Sequence, residues 1–410
     1  MAYKVAGIDV HKKVLMVVIL DVNDPRSEPQ RRRFGTTTSE LQDLSGWLRD
    51  QGVQQAVMES TAQYWRPVWY ELEPPMHLQW AQAFSNRAPR GRKHDFRDAE
   101  RLIRRLVAGE LTLSFVPEPE QRTWRTITRM KVQLTEDKSR LHSQLECLLE
   151  EMRIKLSSVI SDLLGVSGYR ILCALAGGQT DAKKLAALAD DRVRCTEKQL
   201  IDALTGSPQP VHLQLLALYL DRHQMLVGQI AKLDRMIAEA LKPHQEAVAR
   251  LALVPGLGVD SAQQIIAEVG TDAGTFPSAA HLSAWVGTCP GQDETAQENH
   301  SSHSAKGNKY LRRILNQAAH AAVKKNGSHF QAVFRRLLPR LGYKATIWAV
   351  AHRLCRLLWK MLHEGVAYVE RGSEPDPKTK RRRAQKLLRT LRKLGYEVNV
   401  KPITPTPAVP

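Results

Sequence analysis

The sequence predicts an α/β domain followed by an all-α region, and three observations predict it. Two aliphatic runs, 3–10 and 14–21, flank a short polar turn at His11–Lys13, as the arms of a β-hairpin do. Strand-like and helix-like stretches then alternate as far as residue 107, the texture of a mixed α/β layer fold. From residue 127 onward, apolar residues recur at helical spacing instead.

Taken in order, 3–10 and 14–21 read as strands and Arg31–Thr37 as a third. Thr38–Arg49 reads as a helix with Ser39 as its cap and Leu41, Leu44, Trp47 and Leu48 as its apolar face. Gln55–Glu59 is a strand, Tyr64–Leu72 a helix, and His77–Phe84 a strand. Asp95–Val107 is a helix with Ala99, Leu102, Ile103 and Leu106 turned inward. The order is β-β-β-α-β-α-β-α. Beyond it, Ile127, Met130, Leu134, Leu141, Leu145, Leu148 and Met152 form one stripe, and Leu226, Ile230, Leu233, Ile237 and Leu241 another. They predict two long helices able to pair antiparallel as a coiled-coil arm, with 153–210 between them. A third block spans 248–330, with helices at 329–337 and 344–364. Leu387, Leu388, Leu391 and Leu394 predict a basic amphipathic helix before a disordered tail, PITPTPAVP. The domain boundaries that follow are 1–115, 116–247, 248–365 and 366–410.

Composition narrows the class. The 410 residues suffice for two or three cores, and 43% are hydrophobic, as in a soluble globular protein. No apolar run reaches the roughly 20 residues of a membrane span, and the N-terminus lacks the layout of a signal peptide, so a cytoplasmic protein is expected. The five cysteines, Cys147, Cys173, Cys195, Cys289 and Cys355, are scattered without a CxxC pair, which argues against a zinc site or a disulfide framework. Sixty Lys and Arg against 42 Asp and Glu leave a net charge of +18. The positive charge clusters at Arg87–Arg105, Arg312–Lys325 and Lys378–Lys393. Such a field draws polyanions, of which nucleic acid is the commonest large one.

Four acids carry the chemistry. Asp9 interrupts a buried strand, where an unpaired carboxylate is costly. Glu59 closes VQQAVMES, a strand expected beside the first. Asp95 and Asp98 in GRKHDFRDAERL share one helix face. Carboxylates gathered at one point repel unless divalent cations neutralise them, and hard oxygen donors select Mg²⁺ or Mn²⁺. Two such ions about 4 Å apart are the usual device for phosphodiester chemistry. Strand hairpin, helix, strand and late helical acids is the layout of RNase H-like nucleases. The competing reading is four separate structural acids: Asp98 favouring a helix start, Glu59 pairing with Arg66.

Two further stretches bear on nucleic acid. LALVPGLGVDSAQQIIAEVG, 251–270, resembles a helix-hairpin-helix, in which Gly256 and Gly258 would let backbone N–H groups approach a phosphate. An ordinary glycine-rich turn is the plainer reading. At 289–325 a polar loop leads into a helix opening with Lys306, Lys309, Arg312 and Arg313. Hydroxyls beside a basic helix could hold a phosphate or attack one. His300 and His303 have the spacing of a metal pair, but solvated histidines are common in such loops.

These pieces resemble a family. GIDVHK at 7–12, ES at 59–60 and KHDFRDAERL at 93–102 are similar to the N-terminal DEDD domain of the IS one-ten family of insertion-sequence transposases. VPGLGVDSAQQIIAEVG, FPSAAHLSAWVG and CPG through SAKGNKYLRRILNQAAHAAVKK are similar to its C-terminal transposase domain, so that the resemblance covers 1–365. It implies a RuvC-like RNase H-fold domain binding Mg²⁺ (or Mn²⁺) through Asp9, Glu59, Asp95 and Asp98, a coiled-coil linker, and a small helical domain carrying a serine nucleophile. It also implies a structured non-coding bridge RNA that pairs with donor and target DNA, a homo-oligomer, dimer or tetramer, and a transient covalent protein–DNA link. Localisation would be the bacterial cytoplasm, with the nucleoid when bound.

The sequence departs from the family at the serine, which aligns with Glu294-Thr295-Ala296-Gln297. Thr295 keeps a hydroxyl but adds a methyl that crowds attack on phosphorus. Thr295 as nucleophile, Ser301 or Ser302 in its place, or an impaired copy are the three readings. Against a guided transposase stand two other classes: an RNase H-like nuclease or junction resolvase that uses water, and a non-enzymatic nucleic-acid scaffold.

Overall fold

The structure, a computed structural model, describes residues 3–24, 26, 28–60, 62–86, 95–289, 293–295, 298–301, 304, 306–370, 372 and 377–398, as backbone alone at 293–295, 298–301, 377–380 and 383. Outside these residues lie 87–94 of the first basic cluster, Ala296, Gln297, Ser302, His303 and the final tail. The chain divides into two compact units, Met1–Glu118 and Pro119–Pro410.

The first unit is built on β1 (Lys4–Val10), β2 (Leu15–Asp21), β3 (Gln30–Phe34), α1 (Thr38–Asp50), β4 (Val53–Ser60), α2 (Trp65–Leu72), β5 (His77–Ala81), α3 (Asp95–Val107) and β6 (Leu113–Ser114). The strands form one sheet in the order β3-β2-β1-β4-β5-β6. The outer pairs are antiparallel, and β1–β4 and β4–β5 are parallel. This is a mixed sheet of the kind a DEDD nuclease-like domain carries, and the predicted element order holds from β1 to α3.

Strand alternation decides what each face buries. Ala6, Ile8 and Val10 of β1 and Ala56 and Met58 of β4 join Leu41, Leu44 and Leu48 of α1 and Val68 and Leu72 of α2 in one core. The intervening residues face α3, where Val5 and Val18 pack on Ala99 and Ile103, and Val57 on Leu102. By the same parity Gly7, Asp9 and His11, and Glu59 of β4, lie on the α3 side of the sheet.

Two sequence expectations are corrected here, and one short strand is new. The cap of α1 is Thr37, not Ser39, because the Thr37 N–H and hydroxyl both reach the Glu40 carboxylate, at 3.4 and 2.7 Å. The strand read as His77–Phe84 stops at Ala81. Ser85 then donates its N–H and its hydroxyl to the Gln82 carbonyl, closing a 3₁₀ turn over Ala83–Asn86. β6 is too short to leave a periodic signal and pairs through Trp80↔Ser114 and Ala81↔Leu113.

The second unit is helical apart from one hairpin. It comprises α4 (Pro119–Glu151), α5 (Leu156–Val159), α6 (Val166–Ala176), α7 (Ala182–Ala186), α8 (Glu197–Leu204), α9 (Pro210–Ala240), α10 (Gln245–Ala252), α11 (Val259–Val269), α12 (Ala279–Val286), β7 (Asp293–Thr295), β8 (Glu298–Ser301), α13 (Lys309–Ala322), α14 (His329–His363) and α15 (Pro377–Lys393). Contacts between α4 and α9 run in opposite directions. Leu145 and Leu148 cluster with Leu216 and Leu220, Leu134 and Leu141 with Leu226, and Trp124 and Ile127 with Ile237 and Leu241. The pair is therefore antiparallel. Met130, read as part of the stripe, is exposed. Helices α5 to α8 cover one end of the pair through Ile171, Leu172, Leu185 and Leu200. The two helices expected at 329–337 and 344–364 run on as α14 across a break at Gly342, where φ is 72°. β7 and β8 pair antiparallel within the stretch read as a polar loop. No helix among the described residues is long and apolar enough to cross a membrane.

Candidate metal centre

The acids of the first unit meet because of where their elements run. Asp9 and Glu59 are direct partners in the parallel β1–β4 register. Helix α3 crosses the same face of the sheet, with Asp98, Ala99, Leu102 and Ile103 as its buried residues. Its close approach depends on Gly7: a Cβ there would stand 2.1 Å from the Ala99 carbonyl oxygen. With the helix seated that low, its first turn brings Asp95 to Asp9. The carboxylates of Asp9 and Asp95 and a ring nitrogen of His11 lie within 4.8 Å of one another.

Burial raises the Asp9 carboxyl above its ordinary range; His11 opposes the rise, and Glu59, Asp98 and Asp95 add to it. The three other predicted acids thus all act on Asp9. The structure also divides them. Nε2 of His11 lies 3.2 Å from Oδ2 of Asp9, yet this buried nitrogen makes no well-formed hydrogen bond. On the other side, Asn86 donates its amide to Glu59 at 2.6 Å, and Asp98 pairs with Arg101 on its own helix. Arg101 also donates to the Asn86 carbonyl at 3.1 Å. The Glu59 partner is therefore Asn86 rather than Arg66. Asn86 is 4% exposed, and its side-chain oxygen has no hydrogen-bond partner among the described residues.

These residues suit a divalent cation. Hard carboxylate oxygens converge, and two buried polar atoms, Nε2 of His11 and Oδ1 of Asn86, have lone pairs left over. His11, Asn86 and Arg101 were not singled out from the sequence. Strand parity places His11 two residues from Asp9 on the same face, and Arg101 is one helical turn from Asp98. Asn86 left no such signal, because a turn delivers it.

The second unit places the other predicted residues. The backbone of Thr295 ends β7, and that of Ser301 ends β8; their side chains, and Ser302 altogether, fall outside the described residues. Lys306 and Lys309 are exposed. Arg312 has structural work: it donates to the Gly287 carbonyl and to Ser304 and stacks 4.4 Å above Trp348. Arg313 donates to Gln264 at 2.7 Å. Gly256 has a packing role. Its φ is +86°, and a Cβ would stand 2.2 Å from the Ala318 carbonyl oxygen, so its bareness serves the packing of the turn on α13. Gly258 faces open space as the N-cap of α11.

A buried ion cluster beside the hairpin left no sequence signal either. Glu268 of α11 is 1% exposed. Arg129 of α4 grips it through two bonds of 2.7 and 2.8 Å, and Asn308, the cap of α13, donates at 2.8 Å. Arg125, lowered by burial to about 10 against the pull of Glu268, bonds the Ala267 and Glu268 carbonyls. Three helices are thereby fixed around one carboxylate.

A mixed sheet with a strand acid, its cross-strand acid and two acids on the facing helix defines the class, a DEDD nuclease-like domain joined to a helical region. Comparison with known proteins then gives the family. Residues 6–154 match the DEDD transposase model of IS110 elements, and residues 248–335 match the model described as "Transposase IS116/IS110/IS902 family". A "Probable family 20 transposase" of Pseudomonas aeruginosa is 27% identical over 314 residues, 75% of this chain and 83% of its own. The transposase y4rJ of Sinorhizobium fredii is 29% identical over 309 residues, 69% of each chain. The chain belongs to the IS110 family of insertion-sequence transposases.

Proposed function

We propose that this transposase cuts, joins and exchanges DNA strands using a divalent cation, Mg²⁺ or Mn²⁺, at Asp9, Glu59, Asp95 and Asp98, with a protein hydroxyl as nucleophile. The observation that carries the reading is the meeting of Asp9 with Glu59 across the β1–β4 pair and with Asp95 from α3. When bound, the cation polarises the phosphate and stabilises the charge that develops on the oxygens. The chain's own residues prepare for it. Asp9 and Asp95 come from a strand and from the helix seated on it, so their separation is set by packing. Asn86 holds Glu59 through an amide hydrogen bond, and Arg101 holds Asp98 and balances its charge until a cation does so.

The nucleophile in this reading is Thr295, with Ser301 and Ser302 as alternatives. Its oxygen bonds to phosphorus, a strand oxygen leaves with the proton, and a later strand hydroxyl reverses the link. Gly258 and the exposed Lys306 and Lys309 would meet the DNA backbone, while Gly256, Arg312 and Arg313 support that surface from behind. Guidance by a bridge RNA and assembly as a dimer or tetramer belong to the same proposal, on the strength of the family and the charge of +18. The experiment is a denaturing gel of the full chain with element-end DNA, its bridge RNA and Mg²⁺. A covalent adduct is expected from wild type and from Thr295→Ser, and none from Asp9→Asn. An adduct from Thr295→Ala moves the nucleophile to Ser301 or Ser302; cleavage with no adduct in wild type means that water attacks.

A further inference from the structure

We infer that His11 is a nitrogen ligand of the metal centre and makes it prefer Mn²⁺ to Mg²⁺. The inference rests on the proposed metal site and adds a donor that the four acids do not include. Asp9 is the last inward acid of β1, and His11 follows two residues later, where the chain turns into the hairpin. The His11 N–H donates to the Val14 carbonyl at 3.0 Å, so the turn holds its backbone. The ring then lies on the α3 side of the sheet beside Asp9 and Asp95.

The donor geometry suits an ion. One atom from each of Asp9, His11 and Asp95 lies within 4.8 Å of the others. Around a cation with bonds of about 2.1 Å, donors stand roughly 3 to 4 Å apart, so the widest pair closes by about 1 to 2 Å on binding. A histidine there only to balance Asp9 would donate a good hydrogen bond to it. Nε2 approaches to 3.2 Å without one and has no other partner among the described residues. A buried imidazole nitrogen aimed among carboxylates without a well-aligned hydrogen bond is placed as a ligand when the ring carries its proton on Nδ1.

Ligand type then sets selectivity. Mg²⁺ is hard, takes oxygen donors and keeps its waters, and gains little from imidazole. Mn²⁺ takes carboxylates too and stands above Mg²⁺ in its affinity for nitrogen. A mixed oxygen and nitrogen set at Asp9–His11–Asp95 therefore favours Mn²⁺.

The test is metal binding by the intact chain, read without any DNA. Mn²⁺ is titrated by electron paramagnetic resonance and Mg²⁺ by calorimetry, in wild type, His11→Ala, His11→Gln and Asp9→Asn, with circular dichroism to check the fold. In His11→Ala the Mn²⁺ Kd is expected to rise about tenfold or more while the Mg²⁺ Kd stays within about twofold. Electron spin echo modulation of bound Mn²⁺ is expected to show a directly bonded nitrogen in wild type and none in His11→Gln. A wild-type spectrum without that nitrogen, or an equal loss of both metals in His11→Ala, overturns the inference. Asp9→Asn separates the two readings. If it retains full Mn²⁺ binding, the metal site itself fails; if it loses binding while His11→Ala does not, only the role of His11 fails.

Discussion

Asp9 faces Glu59 across the parallel β1–β4 pair, and burial there lifts the Asp9 carboxyl above its ordinary range. An acid whose pKa is raised by folding opposes the fold once the pH passes its unfolded value, about 3.9, and that cost grows until the pH passes the folded-state value. Asp9→Asn removes it. In metal-free buffer at neutral pH the variant is expected to melt at or above the wild-type temperature, and to lose Mg²⁺-dependent cleavage completely. Calorimetry with a chelator present checks the first half and supercoiled plasmid the second. A clear drop in Tm would mean that Asp9 is a structural acid.

Gly7 controls how low α3 sits on the sheet. Gly7→Ala drives a methyl into the Ala99 carbonyl and lifts the helix that carries Asp95 and Asp98. Overpacking of this kind costs about 1–3 kcal/mol. The more telling effect is on the site, because raising α3 separates Asp95 from Asp9. Divalent-metal affinity is expected to fall by about tenfold or more, measured by calorimetry on protein shown to be folded.

Glu268 is the counter-charge for two arginines in the second unit. Glu268→Ala leaves Arg125 and Arg129 facing each other without it, and breaking a buried pair in this way costs about 3–5 kcal/mol. Glu268→Gln is expected to cost less, since an amide oxygen still accepts from Asn308. Urea unfolding of the three proteins gives the ranking, and an alanine variant as stable as wild type would contradict it.

His352 gives the fold a sensitivity to acid. Burial first, then Arg356 and Arg353, hold its pKa below 6.5. A histidine lowered in the folded state binds its proton more tightly when unfolded, so stability is lost as the pH falls through 6.5. His223, lowered by burial and Lys138, acts in the same direction. The Tm is expected to drop on acidification below neutrality, and to drop less in His352→Gln; melting curves across that range read it directly.

The element order from β1 to α3, the stripes of α4 and α9 and the presence of four acids were all legible in the sequence. Alternation and helical spacing are local consequences of backbone geometry, and they hold wherever one face is buried. Even His11 was within reach, since it stands two residues beyond Asp9, just past the end of β1. What the sequence could not carry was distance between elements. Asn86 reaches Glu59 because a 3₁₀ turn ends β5 early, and Asp95 reaches Asp9 because Gly7 lets α3 settle. Gly256 and Arg312 read as nucleic-acid contacts in the linear pattern, and packing engages one with Ala318 and the other with Trp348 and Gly287. Residue types and their spacing were thus fixed by the chain alone. Which of those residues meet, and which are taken up in holding helices together, was decided only by tertiary packing, because burial of apolar faces sets the separations and local periodicity does not.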